Sequence, residues 1–158
     1  MKNLILRKAG LKDRSTLLNL EQKVIEAERP FDSAIKPANT IYYDMDNLLQ
    51  SQNSYLVVAE LNDEIIGTGY AQIRTSKGSA NHAKHSYLGF MYVSPNHRGL
   101  GINKKIIAKL MDWSKGQGVH DYYLDVYVDN IAAIRAYEKT GFVKSMVSMK
   151  MNVNNFTD

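Results

Sequence analysis

Three observations in the sequence predict an α/β chain built on a mixed sheet with helices on both faces. Asn62-Asp63 is a two-residue turn signal between two runs rich in strand formers, residues 55–61 and 64–74, and so makes antiparallel neighbours. Residues 86–128 read strand, helix, strand, the pattern of a crossover between parallel strands. Helical spacing of apolar residues recurs before and after these strands.

In chain order, residues 3–7 are a short apolar strand. Asp13 stands where it can cap a following helix, in which Leu17, Leu20, Val24 and Ala27 keep helical spacing until Pro30 stops it. A polar stretch with Pro37 leads to a second short helix over residues 42–50. The hairpin over 55–74 follows, then a polar loop, TSKGSANHAK. Residues 86–93, SYLGFMYV, form a nearly continuous apolar run, as expected of a strand buried on both faces, and Pro95 ends it. From Ile102 the period changes: Ile102, Ile106, Leu110 and Trp113 line one helical face, and Gly116 and Gly118 end it. Residues 122–128 alternate with period two. Asp129 or Asn130 caps a last helix running to Lys139, Gly141 suits the position after its end, and residues 143–151 return as a strand.

At 158 residues the chain suits one domain, taken as 1–158, with a core large enough to sustain itself. Hydrophobic residues are 44% and charged residues 23%, an ordinary globular balance. The absence of cysteine excludes disulfides, thiolate catalysis and cysteine-bound zinc. No apolar run approaches a bilayer span and the first residues are too short in apolar length for a signal peptide, so a cytoplasmic location is the expectation. The formal charge of +4 comes from interleaved acids and bases, which fits a solvated surface better than a nucleic-acid face.

Residues 93–105, VSPNHRGLGINKK, place Gly99 and Gly101 between a buried strand and a helix start. A helix N-terminus offers unpaired N–H groups and partial positive charge, and glycines before it let an anion approach the backbone. A dinucleotide fingerprint fails because its third glycine would fall on Lys104, and the lysine and hydroxyl of a Walker loop are missing. Short glycine motifs also occur in plain connecting loops, so the stretch alone leaves both readings open.

Four segments in order resemble the GNAT superfamily of acetyl-coenzyme A dependent N-acetyltransferases: LRKAGLKD, LVVAELNDEIIGTGYAQI, MYVSPNHRGLGINKKII and DNIAAIRAYEKTGF. The resemblance implies a sheet whose fourth and fifth strands splay at its centre to admit the pantetheine arm. It implies that the backbone of Met91 and Val93 bonds to pantetheine amides, and that Arg98, Gly99, Leu100, Gly101, Ile102, Asn103 and Lys104 surround the pyrophosphate. By the same carry-over Asn130 touches the coenzyme and Tyr137 lies near its sulfur as the general acid. Asn103 departs from the family's preference for glycine or alanine.

Acyl transfer to an amine requires a group to take the amine proton, donors for the carbonyl oxygen and a proton for the leaving thiolate. It requires no metal, and His82, His85, His97 and His120 show no ligand-pair spacing. Many family members carry an acid on the fourth strand; here the corresponding stretch is Leu88, Gly89 and Phe90. Glu26, Glu28, His85 and Tyr87 remain as bases acting directly or through water, with Glu28 on the side where the family receives its acceptor. Tyr42, Tyr43, Tyr122, Tyr123 and Tyr127 read as packing residues. The resemblance thus points to acetyl-CoA as co-substrate, an amine on a small molecule or a protein as acceptor, no nucleic-acid or membrane partner, and a homodimer at the level of the family. The missing strand acid leaves a non-catalytic coenzyme A sensor on the same fold as the alternative.

Overall fold

The computed structural model describes residues 3–155. The chain divides into two compact units, Met1–Asp125 and Val126–Asp158.

The first unit contains β1 (Leu4–Lys8), α1 (Arg14–Glu28), α2 (Met45–Gln50), β2 (Ser54–Leu61), β3 (Glu64–Thr75), β4 (Lys84–Val93), α3 (Ile102–Gly116) and β5 (Tyr122–Tyr123). The strands lie in the order β1-β2-β3-β4-β5. The first four pair antiparallel, and β5 joins β4 parallel, as the two turn patterns require. Alternation along the central strands sends Leu56, Val58, Tyr70, Phe90 and Tyr92 into one core with Leu17, Leu20 and Val24 of α1 and Met45 and Leu48 of α2. On the other face Ile106 of α3 sits against Gly67 and Gly69, where the lack of side chains lets the helix approach. The sheet therefore carries helices on both faces.

Two helix starts differ in detail from the sequence pattern. Asp44 caps α2, its side chain accepting from Asn47 N–H at 3.0 Å, so Tyr42 and Tyr43 lie in the linker before the helix. Asp13 stands at the start of α1 but does not cap it. Its carboxylate accepts from the Gly10 N–H at 2.9 Å and holds both Arg7 nitrogens at 2.7 and 2.9 Å. Arg7 also binds Glu60 on β2 at 2.6 and 2.9 Å. This fork ties β1, β2 and the start of α1 together, and the Arg7 hydrogen bonds hold the Asp13 carboxyl below its ordinary range.

The expected strand over residues 122–128 forms a ladder only at Tyr122 and Tyr123, opposite Ser86 and Tyr87. In the second unit α4 (Ile131–Glu138) is capped by Asn130, whose Oδ1 accepts from Ala133 N–H at 3.2 Å. The strand expected over residues 143–151 does not form: among the described residues that stretch joins no ladder. Its apolar side chains gain no burial there, with Val143 84% and Met149 91% exposed. Apolar side chains suit a strand, but a ladder needs a neighbour, and residues 124–128 form no ladder either.

The Asp13 carboxylate is nearly buried while Arg7 keeps Glu60 as a second partner. Asp13→Ala should lower the unfolding free energy by about 2 kcal/mol, the scale of charge-assisted hydrogen bonds lost from a buried group. Because the carboxyl is depressed from 3.8, this contribution is present above that pH and fades below it. Urea titrations of both proteins at pH 7 and at acid pH should show the gap closing on acidification.

Candidate active site

The centre of the site is an irregularity in β4. Gly89 pairs with Tyr70 and Tyr92 with Thr68, so Phe90 and Met91 together oppose Gly69. Phe90 takes φ +53°, a left-handed backbone that a bulky residue adopts only when its surroundings hold it there. Its ring is buried and packs on Tyr43 at 4.7 Å between centroids.

The bulge changes which amides face which way. Before it, the Ser86 N–H points to the β5 side and bonds the Asp121 carbonyl at 2.8 Å. After it, the Ser94 N–H bonds the Ile66 carbonyl of β3 at 2.8 Å. Alternation between these points turns the backbone of Met91 and Val93 toward the β5 side. The β4–β5 ladder ends at Tyr87 and Tyr123, and past Tyr87 no described residue pairs with that edge.

The edge leads into the glycine loop. The Arg98 Nε donates to the Val93 carbonyl at 3.1 Å, folding that side chain back along the strand end. Gly99 and Gly101 have φ +77° and +75°, and a side chain at either would meet open space. Lys105 makes the first helical bond, to the Gly101 carbonyl at 3.2 Å, so the N–H groups of Ile102, Asn103 and Lys104 precede the ladder. The Ile102 side chain is buried in the core, leaving its backbone alone to serve a ligand; Asn103 is half-buried and Lys104 exposed. The donors and the bare backbone fit a pyrophosphate.

The α1–α2 face of the bulge is roofed by tyrosines. Glu21, fully buried on the apolar stripe of α1, accepts from the Tyr42 and Tyr43 N–H groups, each at 2.8 Å. That fixes the linker so that Tyr43 stands edge-on to Tyr70 at 5.8 Å and to Tyr42 at 5.9 Å. Burial pushes the Tyr43 phenol well up, reinforced by Tyr70 and Glu28 and opposed by a hydrogen bond from the Phe90 backbone. Tyr42 and Tyr43 thus pack beside the bulge, as the sequence reading expects. Glu21 was legible as an acid four residues after Leu17 on a buried helical face, a position that demands a partner.

Glu28 ends α1 beside this roof. Burial pushes its carboxyl up, and a hydrogen bond from Tyr42 pulls the other way. His85 lies elsewhere, at the far end of the β3–β4 hairpin. Its Nδ1 meets Ser76 Oγ at 2.9 Å, Ser76 Oγ meets His82 Nδ1 at 2.8 Å, and His82 Nε2 meets the Tyr123 hydroxyl at 3.0 Å. Burial, then the charges of Arg74 and His82, lower the His85 pKa. Among the described residues no group of histidines and acids is arranged to hold a metal ion.

In the second unit, Asn130 spends its amide oxygen on the cap of α4. Tyr137 lies on that helix, half-buried, with its ring edge-on to Phe142 at 6.1 Å.

A model of the acetyltransferase (GNAT) family matches residues 21–142. The chain belongs to that family. It is 33% identical over 105 residues to an acetyltransferase of Pectobacterium atrosepticum, covering 66% of this chain and 69% of that one. It is 30% identical over 91 residues to an L-amino acid N-acyltransferase of Escherichia coli, covering 56% of this chain and 49% of that one. The fold matches a Clostridium acetobutylicum protein, described as a predicted acetyltransferase and solved with acetyl-CoA. That match has a TM-score of 0.77 at 22% identity, over 98% of this chain and 99% of the other.

Gly101 tests the loop. Valine at φ +75° would strain the backbone, so alanine is the better probe: it adds one methyl group in open space at a cost of about 1–2 kcal/mol. Gly101→Ala should stay folded and bind acetyl-CoA at least ~10-fold more weakly by calorimetry, the scale of lost phosphate hydrogen bonds. Unchanged affinity would assign the glycines to turn geometry alone.

Proposed function

We propose that the chain is an acetyl-CoA dependent N-acetyltransferase, moving the acetyl group to a primary amine by direct attack in a ternary complex. The observation that carries this reading is the free edge of β4: it begins at the Phe90 bulge and runs into the glycine loop at the start of α3. An extended arm with amides at one end and a pyrophosphate at the other is complementary to such a track. The comparisons support the same class, since relatives of this chain are named as acetyltransferases and N-acyltransferases.

The coenzyme supplies a thioester, whose carbonyl carbon accepts the amine and whose sulfur leaves. The chain supplies the rest. Met91 and Val93 hold the arm by their backbone groups, and Arg98 to Lys104 hold the pyrophosphate. Backbone N–H groups on the free edge of β4 polarise the thioester carbonyl. The amine enters under Tyr43 and Tyr70. An alkylammonium with a pKa of about 10.4 must first lose a proton, and Glu28 takes it directly or through one water. As the N–C bond forms, the C–S bond breaks; the attacking nitrogen gives up its second proton to solvent, and Tyr137 donates its phenolic proton to the sulfur. The phenol regains a proton from solvent, and Glu28 releases its own. Glu28 fills the role that an acid on β4 holds elsewhere in the family, a role closed here because Tyr70 covers Gly89.

Glu28 acts as base only when ionised, and its carboxyl is raised. Turnover should therefore rise with pH through that raised value, and Glu28→Gln should lose this limb with a fall of ~10²-fold, the low end for lost acid–base help. His85→Ala should keep the parent's profile, because His85 belongs to the hairpin-end cluster. Identical profiles in both variants would leave deprotonation to the solvent. Tyr137→Phe keeps the ring and removes the hydroxyl. It should fold, hold acetyl-CoA normally by calorimetry and lose ~10²-fold in turnover; parent-like kinetics would make Tyr137 a packing residue. Coenzyme binding with no transfer to any amine would instead favour a coenzyme A sensor.

A further inference from the structure

Beside the bulge, on the face roofed by Tyr43, lies a cation that the mechanism above leaves unused. Arg74 stands near the end of β3, opposite His85. The residue is exposed, but its side chain is folded back onto the sheet. The guanidinium lies over the Tyr87 ring at 3.8 Å from the centroid, and its Nε donates to Gln72 Oε1 at 2.9 Å. It also hydrogen-bonds the Tyr70 hydroxyl. Stacking and two hydrogen bonds hold the planar fork in place, and among the described residues Arg74 forms no ion pair. A fixed, stacked guanidinium with N–H groups to spare is the form in which arginine recognises carboxylates.

The position of this fork relative to the bulge follows from Gly89. A side chain there would begin 2.6 Å from the Tyr70 hydroxyl, so the tip of Tyr70 fills the space over Gly89. Arg74, bonded to that hydroxyl, reaches to within one phenol of the residue preceding Phe90. An anion on Arg74 and an amine at the bulge are therefore separated by a short molecule. Two other charged groups face this fork. Asp125 receives the Tyr87 hydroxyl at 3.0 Å, and His85 lies across the strand pair with its pKa lowered by burial and by Arg74 itself. With the pKa of His85 lowered, the guanidinium is the main cation here, and the Asp125 carboxylate stands at the hydroxyl end of the ring that Arg74 covers.

We propose that the acceptor is a free α-amino acid, with its carboxylate on Arg74 and its α-amine at the Phe90 bulge. This rests on the acetyltransferase reading above. An α-carboxylate lies two bonds from its amine, which suits the short separation between Arg74 and the bulge. The N-terminal amine of a peptide has an amide in that place, and a simple alkylamine has nothing to offer the fork. Tyr43, Tyr70 and Tyr87 present apolar ring surface to the acceptor's side chain.

The test is a steady-state comparison, by thiol release, of three acceptor sets: L-amino acids, their carboxamides, and the matching decarboxylated amines. The parent protein should favour each amino acid over its carboxamide and its amine by about 10- to 100-fold in kcat/KM, the worth of one or two charge-assisted hydrogen bonds. Arg74→Gln should abolish that preference, chiefly by raising KM for the amino acid, while acetyl-CoA affinity by calorimetry reports an intact fold. Equal use of amino acids and carboxamides by the parent, or an undiminished preference in Arg74→Gln, would overturn the inference and leave the transferase reading standing. Transfer to none of the three sets, nor to polyamines, would overturn both.

Discussion

The bulge at Phe90 is the constraint on which the rest of the site depends. One extra residue in β4 reverses the alternation of its amides, so Ser86 faces β5 before the irregularity and Met91 and Val93 face the vacated edge after it. The left-handed backbone of Phe90 is costly for a large side chain, on the order of 1–3 kcal/mol. Its buried ring, packed on Tyr43 and the α1–α2 core, offsets that cost and locks the strand in this form. A regular β4 would keep even-numbered amides on the edge and would offer a different track to a bound arm.

The second constraint is the roof over the bulge. Glu21 holds the Tyr42 and Tyr43 amides from within the core, so two loop residues are fixed with the rigidity of a helix face. Tyr43 then packs over the Phe90 bulge, and Glu28 sits where its carboxyl is partly withdrawn from water. Gly89 and Tyr70 form one device: the strand gives up its side chain and the neighbouring strand's phenol takes the space. In the proposed mechanism the carboxylate that takes the proton is Glu28, at the end of α1.

Much of this was legible in residue order. The helical stripe of α1, the Asn62-Asp63 hairpin and the shift of period at Ile102 each mark an element that forms where the pattern places it. The glycine loop was legible too, since Gly99 and Gly101 stand where positive φ and open backbone are needed. The bulge was not, because Ser86 to Val93 is apolar throughout and carries no alternation to betray a shift of register. Nor was the place of Asp13, whose carboxylate is claimed by Arg7 and Gly10 in three dimensions although its position in sequence suits a cap. The apolar residues over 143–151 mislead in the other direction, because strand-forming side chains say nothing about whether a neighbouring strand is present. Arg74 was invisible for a related reason: only the packing of Tyr87 beneath it distinguishes a recognition fork from a surface charge.

Amide hydrogen exchange, read residue by residue with and without acetyl-CoA, bears most directly on the central claim that the bulge opens β4 to an extended ligand. Addition of acetyl-CoA should slow exchange at Met91 and Val93, which face the free edge, and at the amides from Gly99 to Lys104. Tyr92, which faces β3, should change little. Protection confined to other parts of the chain, or equal at Met91, Tyr92 and Val93, would contradict the account.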